Sequence, residues 1–581
     1  MSVPEVPVAA SGLVRQFCEA GMLRPIDFHL ARRMCQLTCE VDERVELALA
    51  LTTRELRLGS VCLDVASAHL LLPESAHDDG AASPLSATLS WPDPTAWLAA
   101  LAASPAVASA DGPDRPFRLV DGLLYLDRFH GEERSVALAL LGRSALPPRP
   151  VPPEALCTAL GATAADPLDR QQQAVIAALT NATTVITGGP GTGKTTIVAH
   201  ILRGLADPTA PPLVALAAPT GKAATRLETS VRDTLGTASG LRLLSSTLHK
   251  LLDIVPGRER RTFSPQNPLP HDVVVVDETS MVSLTMMAWL LEAVGDGTRL
   301  ILIGDPDQLE SVEAGAVLSD IADSPTLVTS QAGPAVVRLD RNWRSNKEIS
   351  ALAAAIRSGD AAKGLELLAD GGSCTLTPLS GGESITDYPL LLDDILATAA
   401  AVRDASLAGD GAGANRSLDA HRILCAHREG PFGVGRWSAE SRDWLARHLD
   451  GYGGPGPWAG QPLLITRSGD AVSNGDTGVV VLRQGRLVAC IDRASGLLWR
   501  DPSVLDDVAD LHAMTIHKSQ GSQFNAVSVI LPPVGSPLLT RQLLYTAVTR
   551  AKERVRLYGT TEAFVQAVQT PARRASGLGR R

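Results

Sequence analysis

Lysine is almost absent from this chain, occurring only at positions 194, 222, 250, 347, 363, 518 and 552 among 53 basic residues. A coding bias toward arginine and alanine explains most of that scarcity. Yet Lys194, Lys222, Lys250, Lys518 and Lys552 fall inside or directly beside the motifs described below, where a compact ammonium differs from a planar guanidinium. Excess positive charge is lacking too. A net charge of −10 excludes a basic coat for loose nucleic-acid binding, though not a motor with positive charge along a single groove. No apolar run reaches the ~18 residues of a membrane span, and Asp393 and Asp394 interrupt the most leucine-rich candidate. The N-terminus has Glu5 and no basic segment ahead of an apolar one, so no secretory signal is read and a cytoplasmic protein is expected. Cys35 and Cys39 are the one close cysteine pair and no second pair follows at ligand spacing. The eight dispersed cysteines are therefore expected to be reduced and mostly buried, without a metal site of their own.

What is present is concentrated in short blocks. Val185-Ile186-Thr187 reads as a strand, Gly188 to Thr195 fits G-x-x-x-x-G-K-[ST], and Lys194-Thr195-Thr196 opens a helix. Gly188, Gly189, Gly191 and Gly193, with Pro190 and Thr192 among them, let backbone N–H groups curl around phosphates at a helix N-terminus. Lys194 would reach the β- and γ-phosphates, and Thr195 would offer its hydroxyl to Mg²⁺. This block implies a nucleoside triphosphate but not what its energy is used for.

Residues 1–145 carry amphipathic helical patterns and no catalytic motif, and 146–154 form a stiff proline-rich linker. From 155 onward, apolar runs at 213–218, 273–276, 300–303 and 336–339 alternate with helical patterns, which predicts parallel strands with helices on both faces. The Gly-, Ala- and Asp-rich segment 404–419 reads as a flexible surface insertion. Around 460–500 the pattern changes to strands joined by Gly/Asn/Asp turns, which suggests a small inserted β-barrel.

Asp277 and Glu278 follow four consecutive valines, at the strand end where α/β sheets place ligands. Asp277 would hold Mg²⁺, and Glu278 would polarise an attacking water. Gln308, in Gly304-Asp305-Pro306-Asp307-Gln308, offers an amide that can sense a γ-phosphate. Arg344 and Arg550 would reach the same phosphate from separate segments, as an arginine finger does. Pro219, Thr220 and Lys222, then His249, then Thr515, His517, Lys518 and Ser519 sit at strand ends or helix starts. Small, hydroxyl and basic groups there suit the backbone of a single DNA strand, although each could equally be a helix cap.

In this order the blocks resemble the helicase motifs of superfamily one, over about residues 165–575. The resemblance matches Gln171 to a glutamine that contacts adenine and implies ATP and Mg²⁺ as cofactors. It implies an α/β fold with two RecA-like P-loop NTPase motor domains, the first at 155–335 and the second at 336–425 and 511–581. A small SH3-like β-barrel would be inserted at 426–510, and a mainly helical N-terminal domain would dock on other subunits. Within that superfamily, Arg428-Glu429-Gly430-Pro431-Phe432-Gly433-Val434, Asn474-Gly475-Asp476-Thr477-Gly478 and the tail Arg573-Arg574-Ala575-Ser576-Gly577-Leu578 are similar to the RecD family. Its members are alpha subunits of RecBCD helicase–nucleases (exodeoxyribonuclease V). The resemblance implies a DNA-stimulated ATPase moving 5′→3′ beside RecB- and RecC-like subunits in a heterotrimer. Its substrates would be single-stranded DNA and double-stranded DNA ends, in double-strand-break repair and homologous recombination, with no membrane partner.

Two residues depart from the family pattern: Gln542 stands where a glutamate is expected, and Trp343 replaces a tyrosine while keeping a face for stacking. The segment Leu309-Glu310-Ser311-Val312-Glu313 lacks the aromatics that 3′→5′ relatives stack on bases. No lysine is preceded two positions earlier by an acid, so a RecB-type nuclease centre is not expected. Three other readings stay open: a free-standing RecD-like helicase, a scaffold with a vestigial ATPase, and a DNA-independent ATP switch.

Overall fold

The computed structural model describes residues 5–73, 89–160, 169–236, 240–254, 261–330, 333–342, 346–454, 456–467, 469, 471–493 and 496–580. Its N-terminal region is mainly helical. Helices Pro25–Thr38 and Glu43–Arg57 pack with a four-stranded sheet ordered β1-β4-β3-β2: β1 (Cys62–Asp64), β2 (Val107–Ala108), β3 (Phe117–Val120) and β4 (Leu123–Leu126). Helix Asp127–Ser144 then carries the chain to the first motor domain. Its buried Arg143 donates to Thr183 Oγ1 (2.7 Å) and to the carbonyls of Ala182 (2.9 Å) and Thr298 (2.6 Å), which fixes the N-terminal region to that domain.

The first motor sheet is fully parallel and six-stranded. It contains β5 (Thr183–Gly188), β6 (Leu213–Ala218), β7 (Arg242–Thr247), β8 (Val273–Val276), β9 (Arg299–Gly304) and β12 (Val336–Leu339), in the order β12-β5-β9-β8-β6-β7. The two-residue strands β10 (Thr329–Ser330) and β11 (Gly333–Pro334) form a ribbon just before β12. Period-two alternation divides the sheet between two cores. Val274, Val276, Leu300 and Leu302 face one core, which Val61, Tyr125 and Val136 of the N-terminal region share. Val273, Val275, Ile301 and Ile303 face the other, under helices Pro153–Leu160, Arg170–Thr180, Lys194–Leu205 and Gly221–Leu235. Burial on both faces is why these strands are runs of valine, leucine and isoleucine rather than alternating sequences.

The second sheet is parallel and five-stranded: β13 (Cys374–Thr377), β14 (His421–Cys425), β20 (Ala513–Thr515), β21 (Phe524–Ile530) and β22 (Ala551–Tyr558), ordered β13-β22-β21-β14-β20. Between β14 and β20 lies an antiparallel sheet of β15 (Pro462–Ile465), β16 (Thr477–Arg483), β17 (Arg486–Arg493), β18 (Gly496–Arg500) and β19 (Val508–Asp510). Its order is β18-β17-β16-β15-β19, with β18 and β19 at the two ends.

Several expected boundaries move. The first domain does not end at 335, because β12 pairs with β5 through Val336↔Val185 and Leu339↔Gly188 and so completes the first sheet. The inserted β region does not begin at 426. Residues Val434–His448 form a helix whose Trp437, Trp444 and Leu445 pack with Ile423 and Ile530 of the second sheet, and the inserted strands begin at Pro462. The linker gives way to a helix at Pro153, where proline suits the first helical turn. The segment 404–419 is not a flexible insertion. Gly411–Leu418 is a helix wedged under the inserted sheet, with Asn415 Nδ2 donating to the Cys490 carbonyl at 3.2 Å. A Cβ on Gly411 would stand 2.6 Å from Cys490 Sγ, so only glycine allows that approach.

The C-terminal tail leaves the second domain altogether. It is rooted where Gln542 Oε1 accepts from the Ala572 N–H (2.7 Å), and it then crosses the first domain through an Arg574–Glu310 ion pair (3.1 Å). It ends on the N-terminal region, where Val61 N–H donates to the Ala575 carbonyl (2.8 Å) and Leu578 is completely buried beside Val61 and Tyr125. Leu578→Ala is expected to cost about 2–5 kcal/mol, the range for truncating a buried leucine, and to lower the midpoint of chemical unfolding. An unchanged midpoint would mean that the tail does not seal this core.

Six cysteines are buried, and Cys39 and Cys157 are exposed. No helix among the described residues is long and apolar enough to cross a membrane.

Candidate active site

The glycine-rich loop joins β5 to helix Lys194–Leu205. Gly191 (φ +83°) and Gly193 (φ +85°) occupy the left-handed region that other residues rarely adopt, and Gly193 is the N-cap of the helix. Lys194 folds back over the loop, its ammonium donating to the carbonyls of Gly188 (2.6 Å) and Gly189 (3.1 Å). Thr192 Oγ1 closes the turn on the Gly189 carbonyl (2.8 Å), and Gln171 Nε2 donates to the Thr192 carbonyl (3.0 Å). Gln171 therefore lies against the glycine-rich loop. Gly188 is pressed against β12, where a Cβ would come within 2.9 Å of Leu339 Cβ.

Lys194, Thr195, Asp277, Glu278, Gln308 and Arg550 surround one cavity of about 70 Å³. Burial and then the neighbouring Glu278 carboxylate push the Asp277 carboxyl above its ordinary range, while Lys194 pulls it back. Asp277 Oδ1 accepts from the Glu278 N–H at 2.8 Å. Glu278 has φ +52°, a left-handed backbone costing a side-chain-bearing residue of order 1 kcal/mol, held by the helical turn Thr279–Met281 that follows. Oxygen donors around a desolvated carboxylate suit a hard divalent cation.

The two motor domains meet at Gln308. Its Nε2 donates to Asp305 Oδ2 (2.8 Å), and its Oε1 accepts from Arg550 Nη2 (2.9 Å). Tyr545 Oη reaches the same Asp305 oxygen from the second domain (3.1 Å). Gln308 is 3% exposed and Arg550 2%, so water competes little for these bonds. Burial raises the Asp305 carboxyl and lowers the Arg550 guanidinium, and Glu278 opposes that fall in Arg550. Next in sequence, Leu309 inserts into the core of the second domain. Its N–H donates to Thr546 Oγ1 (2.8 Å) and its carbonyl accepts from Gln520 Nε2 (2.8 Å). Arg344, expected beside Arg550, lies with Trp343 outside the described residues.

The segments expected to meet DNA divide into two kinds. Thr220 caps helix Gly221–Leu235, with Oγ1 accepting from the Ala223 N–H (3.3 Å), and Thr515 Oγ1 accepts from the Lys518 N–H (3.2 Å). Ser519 is a correction: its side chain is wholly buried and its hydroxyl donates to the Ile516 carbonyl (2.7 Å), which removes it from any strand-facing surface. His249 and Lys518 are exposed, and Pro219, Lys222 and His517 are half-buried. Burial, then Arg574 and Arg428, hold the His517 imidazole below its usual range, so it faces its surroundings as a neutral ring.

A larger cleft of about 710 Å³ opens beside the loop, lined by Gly189–Thr192 and Lys222 from the first side and Tyr545, Thr549 and Lys552 from the second. Reasoning from sequence left Asp305, inside the Gly304–Gln308 block, without a role, and likewise Gln520 and Tyr545, which stand beside Ser519 and upstream of Arg550. A carboxylate closing strand β9, in parallel with Asp277 after β8, was the available signal for Asp305. Arg226 and Gln523 were missed entirely. They bond across the cleft (Arg226 Nη2 to Gln523 Oε1, 2.7 Å) over a separation of 297 residues, and no local pattern reports that pairing.

Comparison with known proteins agrees with this layout. Residues 19–125 match the family model "RecBCD enzyme subunit RecD, N-terminal domain", 167–378 match an AAA domain, and 510–558 match a UvrD-like helicase C-terminal domain. The chain is 45% identical over 596 residues to "RecBCD enzyme subunit RecD" of Mycobacterium tuberculosis, covering 98% of this chain and 97% of that one. The protein of that name in Haemophilus influenzae is 32% identical over 478 residues, covering 71% and 72%. The "ATP-dependent RecD2 DNA helicase" of Deinococcus radiodurans is 30% identical over 395 residues, covering 65% of this chain and 47% of its own length.

Proposed function

Because the chain belongs to the RecD family of RecBCD enzyme subunits, we propose that it is the ATP-driven 5′→3′ DNA helicase subunit of a complex with RecB- and RecC-like partners. It would act on DNA ends in double-strand-break repair and homologous recombination. The observation that carries this reading is the buried Arg550–Gln308 bond, which joins the phosphate-loop domain to the second domain at the cavity lined by Lys194, Asp277 and Glu278. A group that senses phosphate in one domain and is held by an arginine of the other couples hydrolysis to domain movement. Arg550 Nη1 also donates to the Ser522 carbonyl (3.2 Å), three residues beyond the Thr515–Ser519 segment assigned to the DNA strand.

In this mechanism the loop N–H groups between Gly188 and Thr196 cradle the phosphates, and Lys194 exchanges its carbonyl partners for phosphate oxygens. Glu278 orients the attacking water and accepts its proton. Gln308 aligns that water or the terminal phosphate, and Arg550, with Arg344 from the adjoining block, offsets the charge that builds up. Thr195 and Asp277 would hold Mg²⁺, which supplies charge neutralisation along the triphosphate when bound. Pro219, Thr220, Lys222, His249, Thr515, His517 and Lys518 would track the strand backbone without reading bases. We assign no nuclease centre to this chain, since none of its lysines follows an acid in the required pattern.

Polarity is tested by unwinding duplexes with 5′ or 3′ tails, using the chain assembled with RecB- and RecC-like subunits inactivated in their own motor. Unwinding that requires a 5′ tail is expected, and a requirement for a 3′ tail would overturn the assignment. Replacing His517 and Lys518 together with alanine should cut the stimulation of ATP hydrolysis by single-stranded DNA about tenfold while basal hydrolysis changes little. Undiminished stimulation would remove that segment from the DNA path.

A further inference from the structure

Helix Gly221–Leu235 links two regions with different tasks. Its N-cap Thr220 and first-turn Lys222 belong to the segment assigned to DNA, and Arg226, four residues after Lys222, lies on the same helical face. Arg226 lines both the 70 Å³ cavity beside Asp277 and Glu278 and the wider cleft next to it. No carboxylate among the described residues pairs with it; its Nη2 donates instead to the neutral Gln523 amide oxygen at 2.7 Å. A guanidinium has five N–H donors, so most of its capacity, and all of its charge, stays available toward the cavity. Steered by an amide at the mouth of the cavity that Lys194 also lines, Arg226 keeps a planar fork of donors suited to phosphate oxygens.

We propose that Arg226 is a third arginine of the nucleotide site, contacting the terminal phosphates of the bound triphosphate, and that Gln523 is the positioning residue that aims it from across the cleft. The proposal rests on the ATPase reading above. Gln523 follows Ser522, the residue whose carbonyl receives Arg550, so the second domain orients both arginines from one short segment. Arg226 thereby places the triphosphate and the strand-facing Lys222 on one rigid helix.

The full-length chain carrying Arg226→Ala, Arg226→Lys, Gln523→Ala or the first and third together separates the roles. Steady-state hydrolysis with saturating single-stranded DNA is read alongside binding of ADP and of ADP with aluminium fluoride. Arg226→Ala is expected to lower kcat about 10- to 100-fold and to weaken the aluminium fluoride complex about tenfold or more, with ADP affinity within about twofold. Arg226→Lys should not rescue, because a point charge lacks the planar fork. Gln523→Ala should cost about three- to fivefold, and the double variant should match Arg226→Ala alone, since a positioning residue has nothing to add once its client is gone. A kcat within about twofold of the parent, or equal weakening of ADP and its aluminium fluoride complex, overturns the role of Arg226. Multiplicative losses in the double variant overturn that of Gln523. Absence of DNA-stimulated hydrolysis in the unaltered chain would instead defeat the ATPase reading, and the aluminium fluoride comparison would still decide Arg226.

Discussion

Arg550→Ala will lower DNA-stimulated ATP hydrolysis by about 10³-fold or more, the range for removing an arginine that neutralises charge in phosphoryl transfer, while ADP binding is largely kept. The size of the effect follows from the environment of the side chain. Arg550 is 2% exposed, and its guanidinium is fixed by bonds to Gln308 Oε1 (2.9 Å), the Thr546 carbonyl (3.1 Å) and the Ser522 carbonyl (3.2 Å). It is therefore preorganised, and in a dry site its charge acts at close to full strength. Truncation also strands three acceptors, so loss of activity alone would not separate catalysis from packing. The discriminating measurement is kcat together with ADP affinity and the unfolding midpoint. A fall in kcat of less than about tenfold would remove Arg550 from the reacting phosphate, whereas a parallel collapse of all three would assign it to the interface.

Lys194→Ala will cut hydrolysis by about 10²–10³-fold and weaken ATP more than ADP. Lys194 is bound to two carbonyls of its own loop, at 2.6 and 3.1 Å, partners that a phosphate oxygen readily replaces because the charge-assisted bond to an anion is the stronger one. The side chain also lowers the proton affinity of Asp277 and Asp305, so its removal leaves two desolvated carboxyls less able to ionise. Lys194→Arg should fail as well, because a planar guanidinium replaces the compact ammonium seated between the Gly188 and Gly189 carbonyls. Assembly with the proposed RecB- and RecC-like partners should persist, since the loop lies outside the N-terminal region proposed to dock them and outside the tail that closes on that region. Wild-type hydrolysis in the alanine variant would sink the assignment of the loop.

The phosphate loop was legible because its chemistry is local. A strand, four glycines and a lysine within about ten residues require no distant partner to be understood. The paired acids after β8 were legible for the same reason, since four valines announce a buried strand and the acids mark its end. Ser519 and Thr220 show the limit of such reading. A hydroxyl in such a pattern fits either a phosphate or a backbone group, and the bonds from Ser519 to the Ile516 carbonyl (2.7 Å) and from the Ala223 N–H to Thr220 (3.3 Å) are visible only in three dimensions. Domain boundaries failed in a related way. The strand Val336–Leu339 was correctly expected, yet which sheet it joins depends on edge pairing with β5, about 150 residues earlier.

By itself, then, the sequence determined the glycine-rich loop between strand and helix, the acids that close β8, the order of motifs and the α/β class, all of which are written in contiguous stretches. Only the tertiary structure decided that Gln308 is gripped by Arg550, that Leu309 is buried in the opposite domain, that Arg226 faces Gln523, and that the tail ends in the N-terminal core. Such pairings join residues separated by hundreds of positions. They exist because two sheets bury their apolar faces separately and then meet along one polar seam, where each donor must find whichever acceptor the packing brings to it.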